Sequence, residues 1–341
     1  MNAPTRRRLA LGVVQYGVGL AALAWLLSQV EVARLAGLLA VVDVPTVVAL
    51  LVVTGVGLVA RFYTWYVLID RVQRTALATA AGIDLVVNFV NQLLPSRLTG
   101  RAAAPLVIRG RTGMGYSEAV AVAGVHTGLY AVLYGIGAVA GLALVAGQAS
   151  AGLLVVLGLA TGLYLAAGGF VLLAGTNMAL ADRTVGTLGG LLDRIPAVGG
   201  RLAARVRSLP EFTTDSAGWF RTLSSEPRVV LPYAAGFVVA LVVAPGARVW
   251  LLLDAFGAGF EPALALPLYL LVAYSVTLLP ITPGGIGISE ASATAVFVAL
   301  GVPAGVIVPV VFVDRFLGVY LPALAGWYPS VGLDVSGLVA D

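Results

Sequence analysis

The stretch Leu278-Leu279-Pro280-Ile281-Thr282-Pro283-Gly284-Gly285-Ile286-Gly287-Ile288-Ser289-Glu290 cuts into an apolar run over residues 262–300. Proline removes a backbone donor and glycine accepts φ values that other residues avoid, so such a stretch breaks a helix. A second break has the same look. The apolar residues 75–94 run into Pro95-Ser96-Arg97-Leu98-Thr99-Gly100-Arg101. One offset of 185 residues sets Leu93-Leu94-Pro95 on Leu278-Leu279-Pro280 and Gly100 on Gly285. After Arg101 only seven residues precede Arg109 and Arg111. Seven residues rise about 10 Å as a helix, against a hydrocarbon core of roughly 30 Å. A full crossing would also leave both arginines outside, against the positive-inside rule. Residues 75–108 are therefore expected to form a re-entrant hairpin from the cytoplasmic side. Its counterpart, residues 262–300, is expected to enter from outside.

Working outward, the flanking segments read as full membrane spans. Arg6-Arg7-Arg8 precede an apolar run over about residues 9–30, expected as a retained first helix with a cytoplasmic N-terminus. Further spans are expected at about residues 45–69, 117–146, 151–175, 229–256 and 303–327. Residues 177–228 carry seven arginines, with Leu188, Leu192 and Ile195 and then Leu202, Val206 and Leu209 at helical spacing. Basic amphipathic helices on the cytoplasmic surface are the expectation there. The architecture is thus all-α and polytopic: about six full spans plus two re-entrant hairpins in one domain over residues 1–341. Its first half is 45–176, its amphipathic segment 177–228 and its second half 229–328. The halves form an inverted repeat, the plan of secondary transporters with a midplane site.

Composition agrees. Of 341 residues, 60% are hydrophobic and 11% charged, where a soluble domain carries about 25% charged residues; mean hydropathy is +1.01. With no cysteine and the single histidine His126, disulfides, thiolate catalysis and Cys- or His-based metal sites are not expected. All 20 basic residues are arginine, so lysine chemistry and a phosphate-binding G-x-x-x-x-G-K-[ST] loop are absent from the sequence. Catalytic residues, a metal and a cofactor are not expected, and neither is an enzyme. The net charge of +4 fits arginine-rich cytoplasmic loops, and no nucleic-acid partner is expected.

Ionisable residues inside a membrane are costly and mark function. Arg97 and Arg101, four apart, share a helical face, and their planar forks suit phosphate. Gly284, Gly285 and Gly287 let the backbone approach a partner and open a helix whose N–H groups favour an anion. Glu290 follows within the first turns. It could pair with Arg97 or Arg101, act as a proton-coupled switch, or complement the helix dipole. Asp314-Arg315 reads as a local ion pair, or with Arg315 as a second phosphate ligand. Asp84, Asn88 and Asn91 form a stripe that should face the bundle interior, either as pathway or as interhelical glue. His126 is a core residue or a switch. Arg61 lies within its span and needs an acidic or carbonyl partner. Arg248 and Asp254 are expected near the outer interface.

At Asn91-Gln92-Leu93-Leu94-Pro95-Ser96-Arg97, with Arg101 following, and at Leu279-Pro280-Ile281-Thr282-Pro283-Gly284-Gly285-Ile286-Gly287 leading to Glu290, the chain resembles the lysylphosphatidylglycerol synthase transmembrane region, or flippase-like domain family. The resemblance covers about residues 10–330. It implies a polytopic fold that passes a charged lipid between leaflets of the cell membrane. Relatives carry a fused aminoacyltransferase or glycosyltransferase; the short stretch after the last span leads us to expect neither activity here. The family's first motif usually reads Arg-x-Gly-Glu, whereas Arg97 is followed by Leu98-Thr99-Gly100-Arg101. The missing glutamate favours an anionic phospholipid or a polyprenyl phosphate over a cationic aminoacyl-lipid. Anionic membrane lipids are the expected partners. The alternative is a non-catalytic membrane partner of a lipid-modifying or glycan-assembly enzyme such as a glycosyltransferase, and an oligomer is left open.

Overall fold

The computed structural model describes residues 42–93, 103–176, 214–279 and 282–330. Among the described residues every element is helical. In chain order they are α1 (Val44–Val72), α2 (Leu77–Leu93), α3 (Ala104–Thr112), α4 (Tyr116–Val145), α5 (Ala151–Thr176), α6 (Thr214–Ser225) and α7 (Pro227–Val238). A π-helical segment (Val239–Val243) joins α7 to α8 (Ala244–Ala255). The chain continues through α9 (Leu266–Tyr274), 3-10 turns at Ser275–Leu278 and Pro283–Gly285, and α10 (Ile288–Ala299). Then come α11 (Ala304–Arg315), a second π-helical segment (Phe316–Tyr320) and α12 (Leu321–Ser330).

Five helical runs are long and apolar enough to cross a membrane: α1, α4, α5, Pro227–Ala255 and Ala304–Ser330. They fall where the apolar runs predict them. The first predicted span and most of the 177–228 segment lie outside the described residues, as do Arg97, Arg101, Pro280 and Ile281. The part of that segment that is described, α6, turns Phe220 and Leu223 inward. A Cβ at Gly124 of α4 would lie 3.0 Å from the Phe220 ring.

Local chemistry sets the ends of α1. The Asp43 carboxylate accepts from the Thr46 N–H at 3.1 Å, capping the first turn. Asp43 lies outside the span, and the Thr46 bond holds its carboxyl below the usual carboxylate range. Along α1, Leu51, Val52, Val56 and Val59 stay exposed. Only 17% of its most apolar window is buried, against 44% for α4, so α1 lies at the lipid boundary and α4 runs through the centre. Lipid tails are as apolar as leucine, so helices here associate by close packing rather than by hydrophobic burial. Small residues permit it. A Cβ at Gly57 of α1 would sit 2.7 Å from Ala244 of α8, and one at Gly168 of α5 would sit 2.9 Å from Ala131 of α4.

Each broken segment has its two ends tied together. Gln73, just after α1, donates from Nε2 to the Thr112 carbonyl at the end of α3 at 3.0 Å. The chain that leaves through α2 therefore returns through α3 to its starting point. In the second segment the Phe260 ring meets the Phe297 ring edge-on with centroids 5.8 Å apart. One face of the bundle gathers several helix ends. Arg71 pairs with Glu226 at 2.7 Å, ahead of α7, and Arg111 donates to the Pro329 carbonyl in α12. Arg71, Arg74, Arg111, Arg221 and Arg228 are exposed.

Candidate functional site

The second break is built from glycines that no other residue replaces without strain. Gly284, Gly285 and Gly287 have φ of 60°, 76° and 83°, in the left-handed region that costs an L side chain energy. Gly284 also meets the first break: a Cβ there would collide with the Gln92 side-chain oxygen and lie 3.0 Å from Gln92 Cα. The end of α2 thus rests against the Pro283–Gly285 turn. Polar atoms collect at this meeting point. Asn91 Oδ1, both ends of the Gln92 amide and Thr282 Oγ1 are buried with no hydrogen-bond partner among the described residues.

Behind the turn, α10 begins with Glu290 in its first turn. The Gly287 N–H donates to Glu290 Oε2 at 2.7 Å and Ser289 Oγ donates to the same oxygen at 3.0 Å. Arg315 Nε donates to Oε1 at 3.0 Å, and the Tyr320 hydroxyl donates to Oε1 as well. Glu290 therefore caps its own helix and neutralises Arg315 at once. The Arg315 guanidinium lies between two rings, 5.1 Å from the Tyr274 centroid and 5.6 Å from that of Tyr320. Its Nη2 is buried with no hydrogen-bond acceptor among the described residues.

Two more ion pairs lie inside the bundle. Arg61 of α1 donates from Nε to Asp84 Oδ2 of α2 at 2.8 Å and from Nη1 to the Gly318 carbonyl at 3.2 Å. Arg248 of α8 holds Asp314 Oδ1 through Nε at 2.8 Å and Nη2 at 2.7 Å, and the Tyr274 hydroxyl donates to Asp314 Oδ2 at 3.0 Å. The Arg248–Asp314 pair is almost fully buried, with side chains 6% and 3% exposed. Pairing is what makes such burial tolerable, since a lone buried charge costs several kcal/mol.

These pairs border two adjoining cavities of about 110 Å³ and 80 Å³. Arg61, Tyr130, Ala240, Leu241, Gly318 and Val319 line both. Ala240 and Leu241 belong to the first π-helical segment, Gly318 and Val319 to the second. A π turn releases a carbonyl from its regular partner and often marks a functional position. Here Gly318 accepts from Arg61 and Val319 accepts from Asn88 Nδ2 at 3.2 Å.

The structure distributes the expected residues as follows. Asp84, Asn88, Asn91 and His126 all line the larger cavity. His126 is engaged: Trp65 stacks on it at 3.7 Å between centroids, and its Nδ1 and carbonyl each lie within hydrogen-bond reach of the Tyr233 hydroxyl, at 3.2 and 3.1 Å. Arg315 and Asp314 line the smaller cavity. They do not pair with each other; Asp314 takes Arg248 and Arg315 takes Glu290, because consecutive helical residues point in different directions. Glu290 pairs with Arg315, on the same half of the chain. Arg61 has both partner types that its position demanded. Asp254 is exposed, whereas Arg248 is buried inside the bundle. The sequence reading missed Tyr274, Tyr320, Tyr130 and Tyr134 as parts of the site, while it had Arg248 among its candidates. The signal for Arg248 was an arginine inside the apolar run 229–256; the tyrosines carried none. Among the described residues no group of three or more His, Asp or Glu side chains has the arrangement to hold a metal ion.

Compared with known proteins, residues 9–326 match the family model described as lysylphosphatidylglycerol synthase TM region. No curated protein and no solved structure matches the chain.

Proposed function

From the premise that the chain belongs to the lysylphosphatidylglycerol synthase TM region family, a family of membrane domains, we propose that it moves a lipid with an anionic headgroup between the leaflets of the cell membrane. The observation that carries this reading is the meeting of the two broken segments at Gln92 and Gly284, beside cavities lined by ionisable side chains. Irregular backbone at membrane depth is tolerated only where it is buried in protein or lines a cavity. Buried ionisable groups in such a place mark a substrate path.

Three further features support the reading. The Gln73–Thr112 bond and the Phe260–Phe297 contact close each broken segment on itself, as re-entrant hairpins from opposite faces require. The face that gathers Arg71, Arg74, Arg111, Arg221 and Arg228 is then the cytoplasmic one. Two hairpins entering from opposite faces and meeting at Gln92 and Gly284 make an inverted repeat with a midplane site. A headgroup phosphate enters beside the glycine turn, with Arg97 and Arg101 as its ligands in this scheme, while the tails remain in lipid. Glu290 competes with the phosphate for arginine and so favours release. The halves then rock to open the other side.

The test is lipid scrambling in vesicles reconstituted with the full-length protein, using labelled phosphatidylglycerol and a labelled polyprenyl phosphate. Wild-type protein moves at least one of them, and the Arg97→Ala, Arg101→Ala double variant loses that movement. Unchanged movement in the double variant removes these arginines from the mechanism. No movement of either lipid by folded wild-type protein favours a non-catalytic partner of a lipid-modifying enzyme, which would use the same cavity to present lipid.

A further inference from the structure

We infer that Arg61, Arg248 and Arg315 form an anion site inside the bundle, and that it selects a singly charged phosphodiester over a doubly charged phosphomonoester. This deepens the lipid reading and rests on it for the ligand's being a lipid. All three arginines line the smaller cavity, and among the described residues Asp314 is the one carboxylate residue on its wall. Arg61 and Arg248 converge on one spot of the second π-helical segment. Arg61 donates to the Gly318 carbonyl, and a Cβ at Gly318 would lie 2.7 Å from Arg248 Nη2. Arg315 Nη2, buried and without an acceptor among the described residues, is a spare donor on a residue that is 3% exposed. The Tyr130, Tyr134 and Tyr274 side chains complete a wall of donors and rings.

The charge balance sets the ligand class. Each arginine has a carboxylate: Asp84 for Arg61, Asp314 for Arg248 and Glu290 for Arg315. The empty cluster is therefore neutral as a whole, which keeps it stable in a low-dielectric interior. It is polarised, however, because Asp84 and Glu290 stand off the wall of the smaller cavity while their arginines are on it. One negative charge is drawn to that positive wall and finds spare N–H donors. A second charge meets no further cation among the described residues of the wall, and the carboxylates behind the arginines repel it over a few ångströms in a medium far less polar than water. A phosphodiester carries one charge; a phosphomonoester carries about 1.5 to 2 at neutral pH, with its second pKa near 6.

The experiment measures binding to the purified full-length protein in detergent at pH 7.5. The probes are dioctanoyl phosphatidylglycerol, a diester, and dioctanoyl phosphatidic acid, a monoester with the same tails. The diester is expected to bind about tenfold more tightly, and the gap to narrow at pH 5.5 as the monoester takes up a proton. Equal or tighter binding of phosphatidic acid at pH 7.5 overturns the inference. Arg315→Gln is expected to weaken diester binding about tenfold. Leu241→Trp, which fills the cavity and leaves every charge in place, is expected to do the same and serves if the arginine variant does not fold. Wild-type affinity in either folded variant overturns the site. Dimethyl phosphate, a diester without tails, separates a lipid ligand from a soluble one; affinity equal to that of the lipid overturns the lipid source. Diester selectivity without lipid movement in vesicles keeps this site and removes translocation. Movement of phosphatidic acid in preference to phosphatidylglycerol keeps translocation and removes this site.

Discussion

The two broken segments share a motif and an offset, yet they solve the problem of a broken helix differently. In the first, α2 is a single helix of 17 residues whose polar stripe faces a cavity, and its last buried amide, Gln92, has no partner among the described residues. In the second, α9, two 3-10 turns and α10 follow one another, glycines of positive φ lead into α10, and Glu290 satisfies its own helix start and a buried arginine together. The second break carries its own helix cap. The first runs, within the described residues, to the Gln92 amide, which no described residue satisfies and where a ligand's polar atoms would count most. Substitutions in the second should therefore cost stability, and substitutions in the first should cost function.

The sharpest way to break this contrast is Glu290→Ala. It strips Arg315 of its carboxylate while the guanidinium stays buried, and a loss of about 3–5 kcal/mol is expected. Denaturation in detergent reads it, and a loss no larger than that of a surface substitution would mean that the second break is not self-supporting. Gly284→Ala comes next, at about 1–3 kcal/mol, from a left-handed φ imposed on alanine and a collision with Gln92. Adding Gln92→Ala removes the side-chain part of the collision and should restore some of that stability, leaving the backbone part. A pair of variants whose effects simply add would show that the two tips do not touch. The smallest stability effect is expected from Asn91→Ala. Its Oδ1 has no partner to lose among the described residues, so stability should change by about 0.5 kcal/mol or less, while lipid movement in vesicles falls several-fold. A large stability loss with unchanged movement would make Asn91 interhelical glue and undo the contrast.

Much of this plan is legible in the chain. Apolar length placed all five described spans, since only a helix or a closed barrel satisfies its backbone in lipid. Too few residues between Arg101 and Arg109 to cross a membrane pointed to a chain that turns back, and the four-and-three spacing of Asp84, Asn88 and Asn91 placed them on one face. Pairing of charges was not legible in the same way. Asp314 and Arg315 are neighbours in sequence, which suggested a local pair, but each looks to a different helix. That Arg248 turns inward to Asp314 was not legible either, because a π turn just before α8 shifts the helix phase by a residue.

What the sequence by itself determined is the class of the molecule: a helical membrane domain with two interruptions, because hydropathy, proline and glycine act locally and along the chain. Which carboxylate neutralises which arginine, and that three arginines share one cavity wall, was decided only in the tertiary structure. Arg61 is 257 residues from the carbonyl of Gly318 it binds, and Arg248 is 66 from Asp314. The physical reason is that charge balance in a low-dielectric interior depends on distances of a few ångströms between helices, and those distances are set by where small residues let the helices close.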